Sequence, residues 1–465
     1  MTARLREALR STAAAAPTYP VYERALSTAR RSRRRRTAAA LAALVLVVLA
    51  GAALPVPLRP DATPAAGAPA ALPDRIGLPP LGTLHATDRP AFGPASVIFS
   101  GQAGRLQGWD EDGGIGIVAA GSDDYRKISM GYEAPVGEKV VLSPDGRYVA
   151  RPSGSAERPR IDVIDLVTRR VRQLAPAASG SVDTVPAAWS PDGTRLAVRD
   201  SVPTGPERAD YRHVLSVVPL DGRAPVRLAE LPSGPVAGWP VAFAPDGSRL
   251  AYQVGRSVTV AAADGGASTS FPLPDESWLA GKGAWTADGR LTVATRRAGT
   301  TTWSLRRVDP GTGRETGGPT LPAVAGVTAI QLLGWAPGGS AVVVAYRPEP
   351  LAPTRFDEPL DLDQRVAYGN VRAVRVLALD PGGAEPRTLM TAPEQVLAVD
   401  VADQVIASGR TRDAHPPGGV GGRFWYWTVL TTLLVAGVAV FRGRERLALW
   451  RDDRRVRRAR RAGGG

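Results

Sequence analysis

Residues 187–198 read AAWSPDGTRLAV, and this phrase decides the fold because it recurs along the chain. Close copies are VVLSPDGRYVA at 140–150 and VAFAPDGSRLAY at 241–252, and weaker copies are GAWTADGRLTVA at 283–294 and LGWAPGGSAVVVAY at 333–346. Measured from turn to turn, the copies are 47, 54, 42 and 50 residues apart. A repeat of this length that carries only strand-like segments is typical of a β-propeller blade.

Each copy contains a tight turn between two strands. Proline fixes φ, the aspartate bonds the backbone that follows it, and glycine adopts a positive φ at no steric cost. Residues 195–198, which follow one such turn, have the pattern of a returning strand. The structural turn residues predicted in this way are Asp145, Gly146, Asp192, Gly193, Asp246, Gly247, Asp288 and Gly289.

A large apolar residue occupies the same place in every copy, immediately before the turn. Packing of one blade on the next needs such a residue in each blade, whereas a ligand site rarely repeats one side chain around a ring. We therefore predict that these side chains are buried between neighbouring blades. Leu142 fills the position in the first copy, and the predicted interblade aromatics are Trp189, Phe243, Trp285 and Trp335.

A second pair of strands follows each phrase, as at 161–166 and 171–174, so each blade is predicted to have four antiparallel strands. Residues 95–129 are predicted to form one more blade without the phrase. Residues 396–408 are predicted to supply a late strand pair that closes the ring against that blade. The predicted fold is all-β, a six-bladed propeller with seven blades as the alternative.

Two uncharged stretches of 18 residues flank the repeats, at 37–54 and 424–441. As helices each would be about 27 Å long, close to the thickness of a bilayer core. Arginines precede the first stretch and follow the second, so the positive-inside rule predicts both termini in the cytoplasm of a cell-membrane protein. A cleaved signal peptide ending near Ala50-Gly51-Ala52 is the alternative for the first stretch.

Proline-rich and glycine-rich stretches join these spans to the repeats and are predicted to be linkers. The predicted order is a cytoplasmic Arg-rich leader, a transmembrane helix, a linker, an extracytoplasmic propeller, a linker, a second transmembrane helix and a cytoplasmic basic tail. Their boundaries are 1–36, 37–54, 55–90, 91–410, 411–423, 424–441 and 442–465.

The net charge of +14 is concentrated in the two tails. Residues 1–36 carry +8 and residues 442–465 carry +7, which leaves about −1 for the remainder of the chain. Basic segments beside a membrane span set its orientation and attract anionic lipid. The tails are therefore predicted to contact the membrane, and nucleic acid is not a predicted partner.

The repeated SPDGxxLA phrase, followed by an apolar strand and a second turn, resembles that of the TolB-like, WD-repeat-like propellers of bacterial envelope proteins. The resemblance covers roughly residues 95–408, with departures at Ala287 and Gly338. It implies a platform that binds an unknown extracytoplasmic protein or envelope ligand, because the phrase itself is structural. Two membrane spans depart from soluble periplasmic TolB, so the partners of TolB are not carried over.

The order of leader, arginine run, span and outer domain is also similar to that of membrane-bound anti-sigma factors. Residues 1–36 carry none of the histidine or cysteine zinc ligands found in many of those regulators. Leu5 and Leu9 are spaced to share one helix face that could contact a cytoplasmic protein. Regulation through residues 1–36 is thus an alternative function, and a leader that only sets topology is the simpler interpretation.

Catalytic motifs are missing from the sequence. It has no cysteine, which excludes thiol catalysis, disulfide bonds and cysteine-bound metal. It has no G-x-S-x-G motif, and of its histidines, His85, His213 and His415, only His213 falls in a predicted blade. We predict that the protein is not an enzyme and has neither cofactor nor metal, with a hydrolase that uses carboxylates at the propeller pore as the alternative.

Two acidic segments are the candidate ligand-binding sites. The first, at 110–114, is an oxygen-rich loop that lacks the full spacing of a calcium loop, so an ordinary acidic turn is the simpler interpretation. The second is the long insertion 347–370 between the strands of the blade that carries the fifth copy, and long loops on rigid scaffolds often carry binding residues. The candidate residues are Asp110, Asp112, Asp357, Glu358, Asp361 and Asp363.

Overall fold

The chain forms two compact units, one of Asp61–Gly421 and one of Met1–Pro60 with Gly422–Gly465. In this computed structural model the described residues are 7, 70–80, 83–101, 114–130, 135–205, 211–231, 240–349, 370–417, 429–435 and 437–438. Every strand found among these residues belongs to the first unit. They form six antiparallel sheets and one two-stranded parallel ribbon, which confirms the predicted six-bladed propeller.

The six sheets are the blades, numbered here from one to six in chain order. Blade one contains β2 (Ala95–Ser100), β3 (Gly114–Ala119), β4 (Tyr125–Ser129) and β24 (Ala398–Val401). Blade two contains β5 (Val141–Leu142), β6 (Tyr148–Ser155), β7 (Arg158–Asp165) and β8 (Val171–Leu174). Blade three contains β9 (Asp183–Trp189), β10 (Arg195–Pro203), β11 (Tyr211–Pro219) and β12 (Val226–Leu231).

Blade four contains β13 (Val241–Phe243), β14 (Arg249–Val254), β15 (Ser257–Ala262) and β16 (Ser268–Pro272). Blade five contains β17 (Ser277–Leu279), β18 (Leu291–Arg296) and β19 (Trp303–Val308). Isolated bridges to Glu315 and Val324 take the place of its fourth strand. Blade six contains β20 (Ala329–Ala336), β21 (Ser340–Pro348), β22 (Val371–Leu379) and β23 (Arg387–Thr391).

The ring is closed by a strand from the far end of the propeller. Strand β24 pairs with β2 and becomes the inner strand of blade one, as predicted for 396–408. The second half of that segment is not a strand, however, but a short helix, α1 (Asp403–Ser408). The helix ends at Gly409, whose φ of 63° makes a left-handed C-cap.

The repeated turns have the geometry that their residues require. Gly146, Gly193 and Gly247 have φ of 73°, 69° and 68°, and Gly289 has 77°. Asp145, Asp192 and Asp246 accept hydrogen bonds from the backbone two residues later, as the Asp192 carboxylate does from the Thr194 amide at 3.1 Å. These contacts fix the turn, so the strand that follows returns beside the one before it.

The repeated aromatics pack between blades. Trp189 is buried against the inner strand of blade two, and its indole N–H donates to the Val141 carbonyl at 3.2 Å. Trp285 makes the same bond to the Ala242 carbonyl of blade four at 2.9 Å. Trp335 is only partly buried but donates to the Gly283 carbonyl of blade five at 3.0 Å.

Arginines of the preceding blade cover several of these rings. The guanidinium of Arg195 lies 5.9 Å from the ring centre of Phe243, and that of Arg249 lies 5.0 Å from the ring centre of Trp285. Arg307 covers Trp335 at 5.1 Å. These cation–π contacts add to the apolar packing that joins consecutive blades.

The two ends of the propeller run side by side. Strand β1 (Leu72–Pro73) pairs in parallel with β25 (Thr411–Arg412), and the Asp74 carboxylate accepts a bond from the Ala414 amide. Further along, His85 forms a bridge with Lys127 of β4. The predicted linkers 55–90 and 411–423 are therefore too long, because residues 70–80, 83–90 and 411–417 belong to the folded unit.

The structure does not confirm the predicted transmembrane helices. The span predicted at 37–54 lies outside the described residues, and within 424–441 residues 429–435 and 437–438 are described, as helix. Among the described parts of the chain, no helix combines the length and the apolar character needed to cross a bilayer.

Candidate functional site

The inner strands of the six blades surround a central channel, which contains the candidate site. A small cavity of about 50 Å³ lies in this channel. All six blades contribute to its wall. Its polar lining residues are Glu138, Lys139, Arg199, Lys282, Gln331 and Asp400.

Lys282 is the most tightly held cation of the channel. Its Nζ lies 2.8 Å from Asp400 Oδ1, 2.6 Å from Asp403 Oδ1 and 2.6 Å from the Val401 carbonyl oxygen. Lys282 belongs to blade five and Asp400 to blade one, so the ion pairs join two blades that are not neighbours. They hold the closing strand β24 and the start of α1 from the inside of the ring.

The two carboxylates that hold Lys282 differ in their surroundings. Asp400 is 1 % exposed, and its Oδ2 accepts a bond from the Leu142 amide of blade two at 2.9 Å. Burial raises the pKa of Asp403 against the attraction of Lys282. Its side chain is nevertheless 46 % exposed, so water screens this effect, and its Oδ1 lies 2.6 Å from the Lys282 ammonium.

The same charges act on the lysine. Burial on its own lowers the pKa of the Lys282 ammonium, but the attraction of Asp400 and Asp403 outweighs it. The pKa of Lys282 therefore lies above its ordinary value, and the side chain remains protonated. A charged Lys282 with bound carboxylates is suited to holding structure, and it is a poor nucleophile or base.

A second polar chain crosses the channel wall. The Tyr346 hydroxyl donates to Gln331 Oε1 at 2.8 Å, and Gln331 Nε2 donates to Glu138 Oε1 at 3.3 Å. The carboxylate of Glu138 is thus engaged by an amide. Lys139, its neighbour in sequence, lies half-buried in the same wall.

A serine–histidine pair lies away from the channel. Ser201 Oγ and His213 Nδ1 are 3.1 Å apart, and both residues are buried. Neither residue lines the channel cavity, so the pair does not face that cavity. His213 was the one histidine predicted in the folded body, but His85 is part of it too, through its bridge to β4.

The predicted ligand-binding residues lie outside the described residues, namely Asp110, Asp112, Asp357, Glu358, Asp361 and Asp363. The strands beside them are described. The first segment connects β2 to β3 in blade one, and the second connects β21 to β22 in blade six. Connections between second and third strands leave a propeller at the face opposite the repeated turns, so both segments start from one face of neighbouring blades.

The lysines of the channel were not predicted from the sequence. Lys139 and Lys282 are each the third residue before the large apolar residue of their copy of the phrase, Leu142 and Trp285. Equal register in a repeat means an equal place in the ring, so the sequence did contain the signal. Among the described residues, no group of three or more acidic or histidine side chains could hold a metal ion.

No protein-family model and no curated protein matches this chain. A solved structure of putative TolB from Agrobacterium tumefaciens is 18 % identical, covering 66 % of this chain and 98 % of that one, with a TM-score of 0.38. TolB from Acinetobacter baumannii is 15 % identical, covering 65 % and 68 %, with a TM-score of 0.32. An oligogalacturonate lyase in complex with manganese is 12 % identical, covering 59 % and 81 %, with a TM-score of 0.36. These likenesses concern the fold and assign no activity.

Proposed function

We propose that this protein is a propeller anchored in the cell membrane, which binds a protein or envelope ligand outside the cell without catalysing a reaction. The observation that carries the anchoring is the apolar surface of the helical residues near the C-terminus. Their large apolar side chains are 42–60 % exposed, namely Val429, Leu433, Leu434, Val435 and Val438. Water is a poor solvent for such a surface, and lipid would cover it.

The arrangement of the chain ends supports two anchors. A domain inserted between two spans has to return its chain to the membrane that it came from. Residues 72–77 run beside 411–416, and a Cβ placed on Gly77 would lie 2.6 Å from Pro416 Cβ. The remaining connections, 55–69 and 418–423, can extend by at most about 50 Å and about 20 Å. Both lengths are compatible with spans at 37–54 and 424–441 in one membrane.

The proposed recognition face is the one from which both acidic segments start. Blades one and six are neighbours, because β24 and β20 flank the point where the ring closes. A rigid ring that carries long connections on one face is the usual architecture of a binding platform. An acidic platform favours a partner with a basic or hydrogen-bond-donating surface.

The state of the channel carboxylates supports a binding role over hydrolysis. A pore hydrolase needs one carboxylic acid and one carboxylate that are free to act on a substrate. Asp400 and Asp403 both bind Lys282, and Glu138 accepts a bond from Gln331. Regulation through residues 1–36 concerns a segment in which only residue 7 is described, and it is compatible with the same anchored layout.

Protease protection tests the anchoring. Protease added to intact cells stripped of their outer barriers should cleave within 55–423 and spare epitope tags on both termini. Protection of the central region would refute the proposed orientation. Release of a soluble form that begins near Ala53 would instead favour the signal-peptide alternative.

Crosslinking tests the recognition face. The full chain is crosslinked in its native membrane, and captured partners are compared with those of a variant that has Asn or Gln in place of Asp357, Glu358, Asp361 and Asp363. The matched control is Asp264→Asn, an exposed change in a turn on the opposite face. Loss of one specific partner in the first variant alone is expected, and equal capture by both variants would refute the assignment of this face.

A further inference from the structure

Lysine is rare in this chain and is concentrated in the channel. The sequence has Lys127, Lys139 and Lys282 as its only lysines, and Lys139 and Lys282 line the cavity. Lys127 lies on β4, at the outer edge of blade one. Basic residues elsewhere are arginines, so ammonium groups in this chain occur mainly where the inner strands meet.

The two channel lysines are not used in the same way. Lys282 Nζ has three oxygen neighbours, from Asp400, Asp403 and Val401, and its charge is compensated. Among the described residues, the Lys139 ammonium has neither an ion pair nor a hydrogen bond. A half-buried ammonium loses part of its hydration, and a nearby anion would restore that free energy.

The described carboxylates of the wall make their contacts with groups other than the Lys139 ammonium. Glu138 accepts the Gln331 amide, and Asp400 is bound to Lys282 and to the Leu142 amide. A further cation, Arg199 of blade three, lines the same cavity. The cations of the wall therefore come from three blades, and its described carboxylates are bound to other groups.

The remainder of the wall is apolar and favours small ligands with an apolar body. Val185, Leu215 and Leu333 line the cavity together with Ala187 and Val241. Charges interact more strongly beside such a wall than in open water, because the local dielectric constant is lower. An ammonium and a guanidinium that face one cavity are suited to the oxygens of a carboxylate or a phosphate.

We propose that the channel cavity binds a small carboxylate or phosphate through Lys139, with Arg199 as the second cation. This site is separate from the acidic face proposed above for a protein partner, and either proposal can be correct without the other. Lys282 lies in the same wall but keeps its own carboxylates, so its part is to hold the closing strand in place.

The scarcity of lysine provides a direct assay. The full-length chain, purified in detergent and labelled with ¹³C,¹⁵N-lysine, gives one set of lysine side-chain signals for each of Lys127, Lys139 and Lys282. Substitution of each in turn by arginine assigns them. Sodium acetate, succinate and inorganic phosphate are titrated separately at constant ionic strength, with chloride as the balancing anion.

The Lys139 signals should shift in a saturable way with at least one of these anions, while those of Lys127 should not. Lys139→Gln has no Lys139 signal, so its affinity is measured by isothermal titration calorimetry beside that of the unchanged chain. It should be weaker by about tenfold or more, as expected when a charged hydrogen bond is lost. Lys139→Arg should retain the binding, and Lys127→Gln is the matched control. Phosphate and carboxylate titrations also show which of the two anions is preferred.

Shifts that rise linearly without saturation, or that are equal at Lys127 and Lys139, would overturn the proposal. Unchanged affinity in Lys139→Gln, with an unchanged melting temperature to show that it folds, would overturn it as well. If Lys139→Gln fails to fold, Lys139→Met provides the same comparison, because its side chain is neutral and of similar length.

Discussion

Trp189→Ala tests whether the repeated aromatics hold the ring together. Trp189 is 7 % exposed and lies in one apolar cluster with Val141, Leu196 and Val198. Its ring is stacked on that of Tyr148 of blade two, with 6.0 Å between centroids. The substitution removes this packing and also the donor of the Val141 carbonyl, so the contact between blades two and three is the part that is lost.

The loss of stability expected for Trp189→Ala depends on the apolar area, the cavity and the hydrogen bond that the substitution affects. A buried tryptophan removes about 200 Å² from water, which corresponds to about 5 kcal/mol at about 25 cal/mol per Å². This figure is an upper bound, because the unfolded chain already hides part of that surface. We expect Trp189→Ala to lower the free energy of unfolding by about 3–5 kcal/mol, the usual range for aromatic truncation in a core. Trp189→Phe keeps most of the ring and should lose about 1–2 kcal/mol with the hydrogen bond.

Urea denaturation of residues 61–421, followed by circular dichroism, measures these values. Trp335→Ala is the matched comparison, since Trp335 makes the equivalent bond to Gly283 but is only partly buried. It should cost less than Trp189→Ala. One cooperative transition is expected in every variant, because the blades support one another and β24 closes the ring. A loss below about 1 kcal/mol for Trp189→Ala would refute the interblade role of the aromatic.

Three further changes probe the turns, an acid-sensitive ion pair and the ring closure. Gly193→Ala should lower the free energy of unfolding by about 1 kcal/mol through its positive φ alone, because a Cβ there meets nothing within 4 Å. Gly146→Ala should lower it clearly more, because its Cβ would lie 2.0 Å from the Ala95 carbonyl oxygen. Equal melting temperatures of the two variants would contradict this. Burial alone raises the pKa of Asp165, but hydrogen bonds from Arg147 and from backbone amides lower it to about 2. The contribution of Asp165 to stability is therefore complete above about pH 4 and is lost as the pH falls towards 2. Asp165→Asn should accordingly flatten the acid side of a plot of stability against pH. Lys282→Met should lower the free energy of unfolding by about 3 kcal/mol in urea titrations, because it leaves a buried carboxylate without its cation, and Lys282→Arg should recover part of that loss.

The turns and the aromatics could be predicted because each is decided by local chemistry repeated several times. A Pro-Asp-Gly turn needs the same φ values wherever it occurs, and the residue before it reaches the neighbouring blade in every copy. Gly193 and Trp189 therefore have the conformation and the burial that their place in the phrase requires. Even the degraded fifth copy keeps a positive φ at the equivalent glycine, Gly339, where it is 81°.

The end of the propeller was harder to predict because it has no second copy for comparison. Residues 396–408 are apolar enough for two strands, but β2 offers only one free edge for pairing. Strand β24 pairs along this edge, and the last backbone hydrogen bond runs from the Ala402 amide to the Ser96 carbonyl. The chain beyond that point has no strand to pair with. It forms α1 instead, with Val405 and Ile406 buried against the ring. The length of the free edge decided this outcome, and the sequence does not state that length.

The channel residues were overlooked for a different reason, which bears on how the repeat divides its work. In four of the five copies the residue three places before the large apolar position lines the cavity, as Lys139, Pro240, Lys282 and Leu332, whereas Pro186 of the remaining copy is not part of the lining. Blade packing fixes the turn and the aromatic, whereas this position faces the channel and is free to change from copy to copy. Residues that recur in every copy, such as the turn glycine and the large apolar residue, can be recognised in the sequence, and these residues form the scaffold. Lys139 and Lys282 lie at a position that does not recur, which is where a ring of similar blades can acquire an asymmetric site.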